Sequence, residues 1–188
     1  YSTKGDIVIS GPLATNSSDA KAAITLPDIA TLSLTHKLND RVELLGDISW
    51  TGWSSIPKVD IVRASATLNG FFPAGSIAQV LDTDFRDTWR VALGANYKLN
   101  NEWLLKGGIA YDQTPVKGAT TRLVSLPDND RTWFSIGAQW KQSKTLTLDV
   151  GAAYLYVSDT KIDNNQAAAG RGRITGTYED SAWIFGLQ

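Results

Sequence analysis

Arg90, Lys106, Asp112, Arg131, Trp133 and Asp149 all fall on the polar face of segments in which apolar and polar residues alternate. Cations in that setting could receive a carboxylate through charge-assisted hydrogen bonds, which strengthen away from water. Salt-bridging to another segment of the protein is the plainer reading of the same charges. A second group is apolar where polar residues are usual: the stretch 69–81 carries Phe71, Phe72, Ile77, Val80 and Leu81, and Phe85 follows. An exposed apolar patch costs solubility unless it binds something or folds inward. Phe71, Phe72, Leu81, Phe85, Arg90, Lys106, Arg131 and Trp133 are therefore the candidate ligand contacts. Packing among neighbouring loops is the alternative for the apolar set.

Bond-making chemistry is poorly supplied. His36 is the single histidine and there is no cysteine, so no multi-histidine or thiolate metal site can be assembled from this chain; His36 falls on the outward face near a short turn, where an interfacial polar residue is expected in place of a triad base. Asp128-Asn129-Asp130 and the run from Asp159 to Asn165 offer oxygen atoms, but neither has the spacing of an EF-hand loop. Asx turns are the plainer reading of both. No catalytic residue, metal or cofactor is expected. The 18 basic and 19 acidic residues nearly cancel, which gives no reason to expect nucleic acid as a partner.

The elements that must carry these residues are strands. Trp89 to Lys98 alternates without a fault: Trp, Val, Leu, Ala and Tyr on one face, Arg, Ala, Gly, Asn and Lys on the other. An apolar face ending in aromatics, backed by a small and polar one, is the pattern of a transmembrane β-barrel. No apolar run approaches the ~20 residues of a membrane helix. Short joints at 38–41, 99–102 and 141–144 read as hairpin turns, and in bacterial outer-membrane barrels short turns face the periplasm. This orients strands over 24–38, 86–98, 102–113, 131–141, 145–157 and 173–188. Residues 41–67 read as one long strand bent where Gly52 to Pro57 interrupt it, with 68–85 an outer loop. A partial strand at 1–10 brings the count to about eight. Trp103 and Trp140 sit by short turns, whereas Trp50, Trp53, Trp89 and Trp133 lie toward the long loops, as two interfacial belts require. A soluble β-sandwich with a tryptophan-rich core is the competing fold.

Several ordered stretches resemble the C-terminal part of the FadL/TodX family of outer-membrane transporters for long-chain fatty acids and other hydrophobic compounds. They are Leu26-Pro-Asp-Ile29, Leu45-Gly-Asp-Ile-Ser-Trp-Thr-Gly-Trp53, Asp87-Thr-Trp-Arg-Val-Ala-Leu-Gly94, Gly108-Ile-Ala-Tyr-Asp-Gln-Thr-Pro115, Leu126-Pro-Asp-Asn-Asp-Arg-Thr-Trp133 and Ser181-Ala-Trp-Ile-Phe-Gly186. The resemblance implies part of a single 14-stranded barrel domain spanning 1–188, in the bacterial outer membrane. It also implies capture of ligand by outer loops, an interior pocket and release through the wall. The hatch and early strands of the family have no counterpart, and the chain starts at Tyr1 without any methionine, so a processed, partial or split polypeptide is expected. Aligned from Asp87-Thr-Trp-Arg90, the family's headgroup lysine falls on Leu81, which leaves room for an uncharged ligand or a displaced cation such as Arg63 or Arg86. The expected partners are a hydrophobic small molecule (fatty acid or hydrocarbon) and outer-membrane lipid, around a barrel that is monomeric when complete. A general porin and a small structural or adhesive barrel are the rival functions.

Overall fold

The computed structural model describes residues 2–7, 18–67, 70–170 and 172–188. Among them are thirteen strands: β1 (Ser2–Ile7), β2 (Ser18–Ala23), β3 (Ile29–Lys37), β4 (Val42–Thr51), β5 (Lys58–Arg63), β6 (Ile77–Asp82), β7 (Thr88–Lys98), β8 (Trp103–Asp112), β9 (Arg131–Lys141), β10 (Thr147–Val157), β11 (Thr160–Asn165), β12 (Arg173–Tyr178) and β13 (Ser181–Leu187). They form a seven-stranded antiparallel wall in the order β13-β10-β9-β8-β7-β4-β3, a four-stranded sheet β1-β2-β5-β6 and the hairpin β11-β12.

The wall follows the alternation in the sequence. Trp50 opposes Trp89, Val91 opposes Tyr111, Ile109 opposes Phe134 and Phe134 opposes Tyr154, so one face is apolar across every pair. That face is bare: Leu32, Leu93, Ile136 and Phe185 are 73%, 63%, 72% and 76% exposed. Among the described residues no second sheet covers it, which removes the sandwich reading and suits a surface solvated by lipid. Trp103 stacks on Trp140 with ring centroids 5.7 Å apart beside two short turns, and Trp50 and Trp89 mark the opposite end of the band.

The three turns share one device. Asn39 Oδ1 accepts the Arg41 and Val42 N–H groups, both at 2.9 Å; Asn100 Oδ1 accepts those of Glu102 and Trp103 at 2.9 and 2.8 Å. In the third, Ser143 Oγ accepts the Thr145 and Leu146 N–H groups at 3.3 and 3.1 Å. Side-chain oxygens of this kind satisfy turn donors that no strand reaches.

The outer end departs from the sequence reading. Residues 41–67 are not one wall strand. The interruption falls where glycine and proline placed it, as a 3-10 turn at Trp53–Ser55, but beyond it β5 leaves the wall to pair with β2 and β6. Its partner breaks at the same level, between β2 and β3, where Gly52 N–H donates to Asp28 O at 2.9 Å. The stretch 68–85 is not only loop, since it contains β6; residues 68 and 69 lie outside the described residues. The described part of the 1–10 strand, β1, pairs with β2 and not with the wall; Tyr1 and residues 8–10 lie outside the described residues. Likewise 173–188 is two strands, β12 on β11 and β13 on β10, and the Asp159 to Asn165 run expected in a turn is mostly strand β11. Small apolar centres hold these outer pieces. Ile56 and Val59 are buried in one, Val116 and Ile162 in the other.

Candidate functional site

On the polar face of the wall, small residues clear a floor. Ala92, Gly94, Gly108, Ala110, Ser135, Gly137 and Gly151 line an open basin of about 740 Å³, with Asp47, Arg90, Lys106, Trp133 and Asp149 around it. The charges are tied to one another within this chain. Arg90 Nη1 donates to Asp47 Oδ1 at 3.0 Å. Lys106 Nζ reaches Asp149 Oδ1 at 2.8 Å, from β8 to β10. It can do so because Gly137 stands opposite it on β9: a Cβ there would lie 3.8 Å from Lys106 Cβ and 3.1 Å from Val150 O. Gln139 Nε2 donates to both oxygens of Asp149, at 3.1 and 2.9 Å. Arg131 forks to Asp112 at 2.9 Å and to Asp128 at 3.3 Å. Side-chain exposures near a third for the Asp47–Arg90 and Lys106–Asp149 carboxylates place these among pairs worth roughly 0.2–1 kcal/mol each. Their larger effect is to cancel charge on a surface that would otherwise carry it.

At the long-loop end lies a second cavity of about 460 Å³. Val80 and Leu81 of β6 form one side; Leu123 and Val124, from the loop joining β8 to β9, and Ile174 of β12 form another, with Gln79, Ser125, Asn164 and Gln166 supplying the polar atoms. The 113–130 loop is held rigidly to its neighbours. Arg122 is buried; its Nε donates to Asp128 O at 3.1 Å, and Nη1 donates to Lys161 O. Burial pulls the Arg122 guanidinium below its usual range, with the Asp128 charge opposing. Asn164 Nδ2 donates to Arg122 O at 2.8 Å. Tyr111 Oη and Thr114 N–H both donate to Asp130, at 2.5 and 2.9 Å, and Thr114 Oγ1 donates to Asp128 at 2.6 Å. These carboxylates serve as loop staples, and among the described residues no cluster of potential metal ligands occurs.

The residues singled out from sequence thus separate into distinct places. Arg90, Lys106 and Trp133 line the basin, and Trp133 Nε1 has no hydrogen-bond partner there. Arg131 sits at the outer end of β9, engaged with Asp112 and Asp128. Leu81 lines the outer cavity. Phe71 and Phe72 meet edge to face at 4.8 Å, and Phe72 carries the Arg63 guanidinium 4.4 Å above its ring. Phe85 meets Trp53 edge to face at 6.0 Å. Neither of these aromatic pairs lines either cavity. Val80 belongs to the apolar stretch singled out in the sequence, whereas Leu123, Val124 and Ile174 are lining residues that the sequence reading does not name. Leu123-Val124 carried the same signal as Phe71-Phe72, adjacent apolar residues within a polar outer loop.

The family model for outer membrane protein transport proteins (OMPP1/FadL/TodX) matches residues 2–188. The chain belongs to this family. It is a protein of the bacterial outer membrane, and its wall is part of a barrel of that type. Outer membrane protein P1 of Haemophilus influenzae is 38% identical over 132 residues, 70% of this chain and 26% of that protein. The long-chain fatty acid transport protein of Escherichia coli O6:H1 is 29% identical over 163 residues, 87% of this chain and 34% of that one. Among solved structures, a Pseudomonas aeruginosa FadL homologue superposes with a TM-score of 0.78 at 31% identity, over 91% of this chain and 37% of that one. The Pseudomonas putida toluene transporter TodX, at 17% identity, shares the fold with a TM-score of 0.55, over 91% of this chain and 36% of that one. The chain therefore spans about a third of the length of its relatives.

Proposed function

We propose that this chain forms one wall and part of the outer mouth of a passage that takes up hydrophobic small molecules, fatty acids or hydrocarbons, by binding and diffusion without catalysis. The observation that carries this is the apolar cavity at the long-loop end, formed by Leu81, Val80, Leu123, Val124 and Ile174, on a wall whose polar face holds an open basin. Each methylene desolvated there contributes about 0.8 kcal/mol, enough to hold a chain loosely and release it. Similarity to a long-chain fatty acid transport protein and to a toluene transporter supports the two ligand classes. Phe71, 73% exposed, belongs to the same reading as an outer contact, with Phe72 packed against it and under Arg63.

The test is uptake by cells making the full-length protein with Leu81→Asp and Val124→Asp together. Initial uptake of radiolabelled oleate or toluene, whichever the wild type takes up, should fall at least about tenfold, because losing ~1.4 kcal/mol of binding is a tenfold change. Unchanged uptake with normal surface expression would sink the role of the mouth. The ion pairs on the basin face favour one second reading, a water-filled diffusion porin. Steady ohmic conductance in planar bilayers would select it.

A further inference from the structure

The two sides of the mouth cavity are fixed in different ways. One side, Leu123, Val124 and Ile174, belongs to the 113–130 loop and the β11-β12 hairpin, which are locked together. Asp163 N–H donates to Ala119 O at 2.9 Å, Asn164 Nδ2 to Arg122 O at 2.8 Å and Tyr178 Oη to Val124 O at 3.3 Å. The buried Arg122 adds its bond to Lys161 O. The loop is held to the wall in turn, since Arg131 of β9 pairs with Asp128 and Tyr111 of β8 donates to Asp130.

The other side, Gln79, Val80 and Leu81, belongs to the four-stranded sheet β1-β2-β5-β6. Here β4-β7 and β5-β6 are two stretches of one long hairpin with a waist: pairing ends at Thr51 with Thr88 and resumes at Lys58 with Asp82. The crossings from this sheet to the wall, 24–28, 52–57 and 83–87, all lie outside any strand. Above the waist, Thr83 Oγ1 donates to Ile56 O at 2.5 Å and Asp84 N–H to Pro57 O at 2.9 Å, so both strands leave it as a unit. Below it, Arg86 N–H and Nε donate to Pro115 O and Thr114 O, at 2.9 and 3.1 Å, which ties residue 86 to the fixed side. Between these points Asp84, alone among the described non-glycine residues, takes the left-handed backbone conformation, at φ 42°, where a side chain is disfavoured. Hinges are built from a few such positions at element ends, which absorb the backbone rotation. One exposed ion pair, Lys117 Nζ with Asp84 Oδ1 at 2.6 Å, joins the base of the sheet to the 113–130 loop.

The geometry points to a gate. Resting on the passage reading above, the outer sheet turns on this waist toward and away from the 113–130 loop, narrowing and widening the cavity between Leu81 and Val124 while the wall stays still. The Asp84–Lys117 pair is its latch. An exposed pair of this kind favours one position up to about fivefold, enough to bias the sheet and little enough for a bound ligand to override.

The experiment places spin labels on purified full-length protein in nanodiscs. Labels on Ile77→Cys in β6 and Lys161→Cys in β11, neither of which lines the cavity, report the sheet against the fixed side. Labels on Lys161→Cys and on Asn101→Cys, in a short turn, report the fixed side against the wall. Double electron–electron resonance should give two distances for the first pair and one for the second. Saturating oleate or toluene, whichever the wild type takes up, should collapse the first pair to a single distance. Lys117→Gln should change the ratio of its two distances by up to about fivefold and leave the second pair alone. Asp84→Asn serves the same purpose if Lys117→Gln does not fold, as read by heat-shifted gel migration. A first pair as narrow as the second, with and without ligand, overturns the inference and leaves the passage reading intact. A first pair unmoved by ligand, or unmoved by loss of the latch, overturns it as well. Absence of uptake of either compound by wild-type cells overturns the passage reading and the inference together.

Discussion

The wall and the outer pieces are both made of paired antiparallel strands, yet they answer to different solvents. In the wall, one face meets lipid and the other the lumen, so every second residue is constrained and the register runs unbroken through β4, β7, β8, β9 and β10. In the outer pieces, both faces meet water or other loops. Strands there are six residues long, pairing shifts at Ile61/Val62, and stability comes from small buried centres and hydrogen-bonded staples. Where the environment is two-valued the pattern is rigid; where it is not, the chain changes partners.

The sharpest way to break that contrast is one substitution made in both regions. Leu93→Arg, at the middle of β7 on the bare apolar face, should cost roughly 2–4 kcal/mol in lipid vesicles. Ile77→Arg, in β6 and 55% exposed, should stay within about 0.5 kcal/mol. Urea unfolding of both variants checks this, and equal losses would end the distinction. The next effect concerns space. Gly137→Val would press on Val150 O and on the Lys106 side chain, for an expected loss of about 1–3 kcal/mol. Gly118→Ala, with nothing within 4 Å of its added carbon, should be neutral in the same assay.

The smallest effect is a pH dependence confined to the outer hairpin. Arg173, hydrogen-bonded to Asp163 at 2.7 and 2.8 Å, holds that carboxyl below its ordinary range. The contribution to stability is therefore complete above the ordinary aspartate value near 3.9 and disappears as pH falls through the lowered one. Amide exchange in β11 and β12 should quicken in acid while the wall is unaffected, and Arg173→Gln should remove that difference. Acid-labile exchange spread evenly over the wall would contradict it.

The same contrast explains what could be read in advance. Strands β7 to β10 were legible because period two is imposed on them from both sides, and the Asn39 and Asn100 turns because asparagine advertises its bond to the backbone. Ser143 does the same work in the third turn, and serine is too common to announce it. The inward placement of Arg90 and Lys106 followed from alternation. Their partners did not, because Asp149 lies two strands from Lys106 and is brought close only by the register of β8, β9 and β10. The break at Gly52 to Pro57 was visible through its residue types, but not that β5 would trade the wall for β6. At Ser158-Asp159 and Glu179-Asp180 neither glycine nor proline marks the comparable break. Leu81 was picked out as part of an apolar loop, whereas its place opposite Leu123, Val124 and Ile174 depends on three separate excursions meeting.

The three capped turns bear on how such a wall could come to exist at all. Each makes a pair, β3 with β4, β7 with β8, β9 with β10, whose partners are near neighbours along the chain, so each pair can zip from its turn before any other strand arrives. The remaining seams, such as Thr51 with Thr88, must close a long excursion, but that cost grows only with the logarithm of its length. Growth of the outer loops during evolution should therefore slow assembly little, and binding surfaces at the cell exterior could be lengthened or exchanged while the hairpins keep their own order of formation.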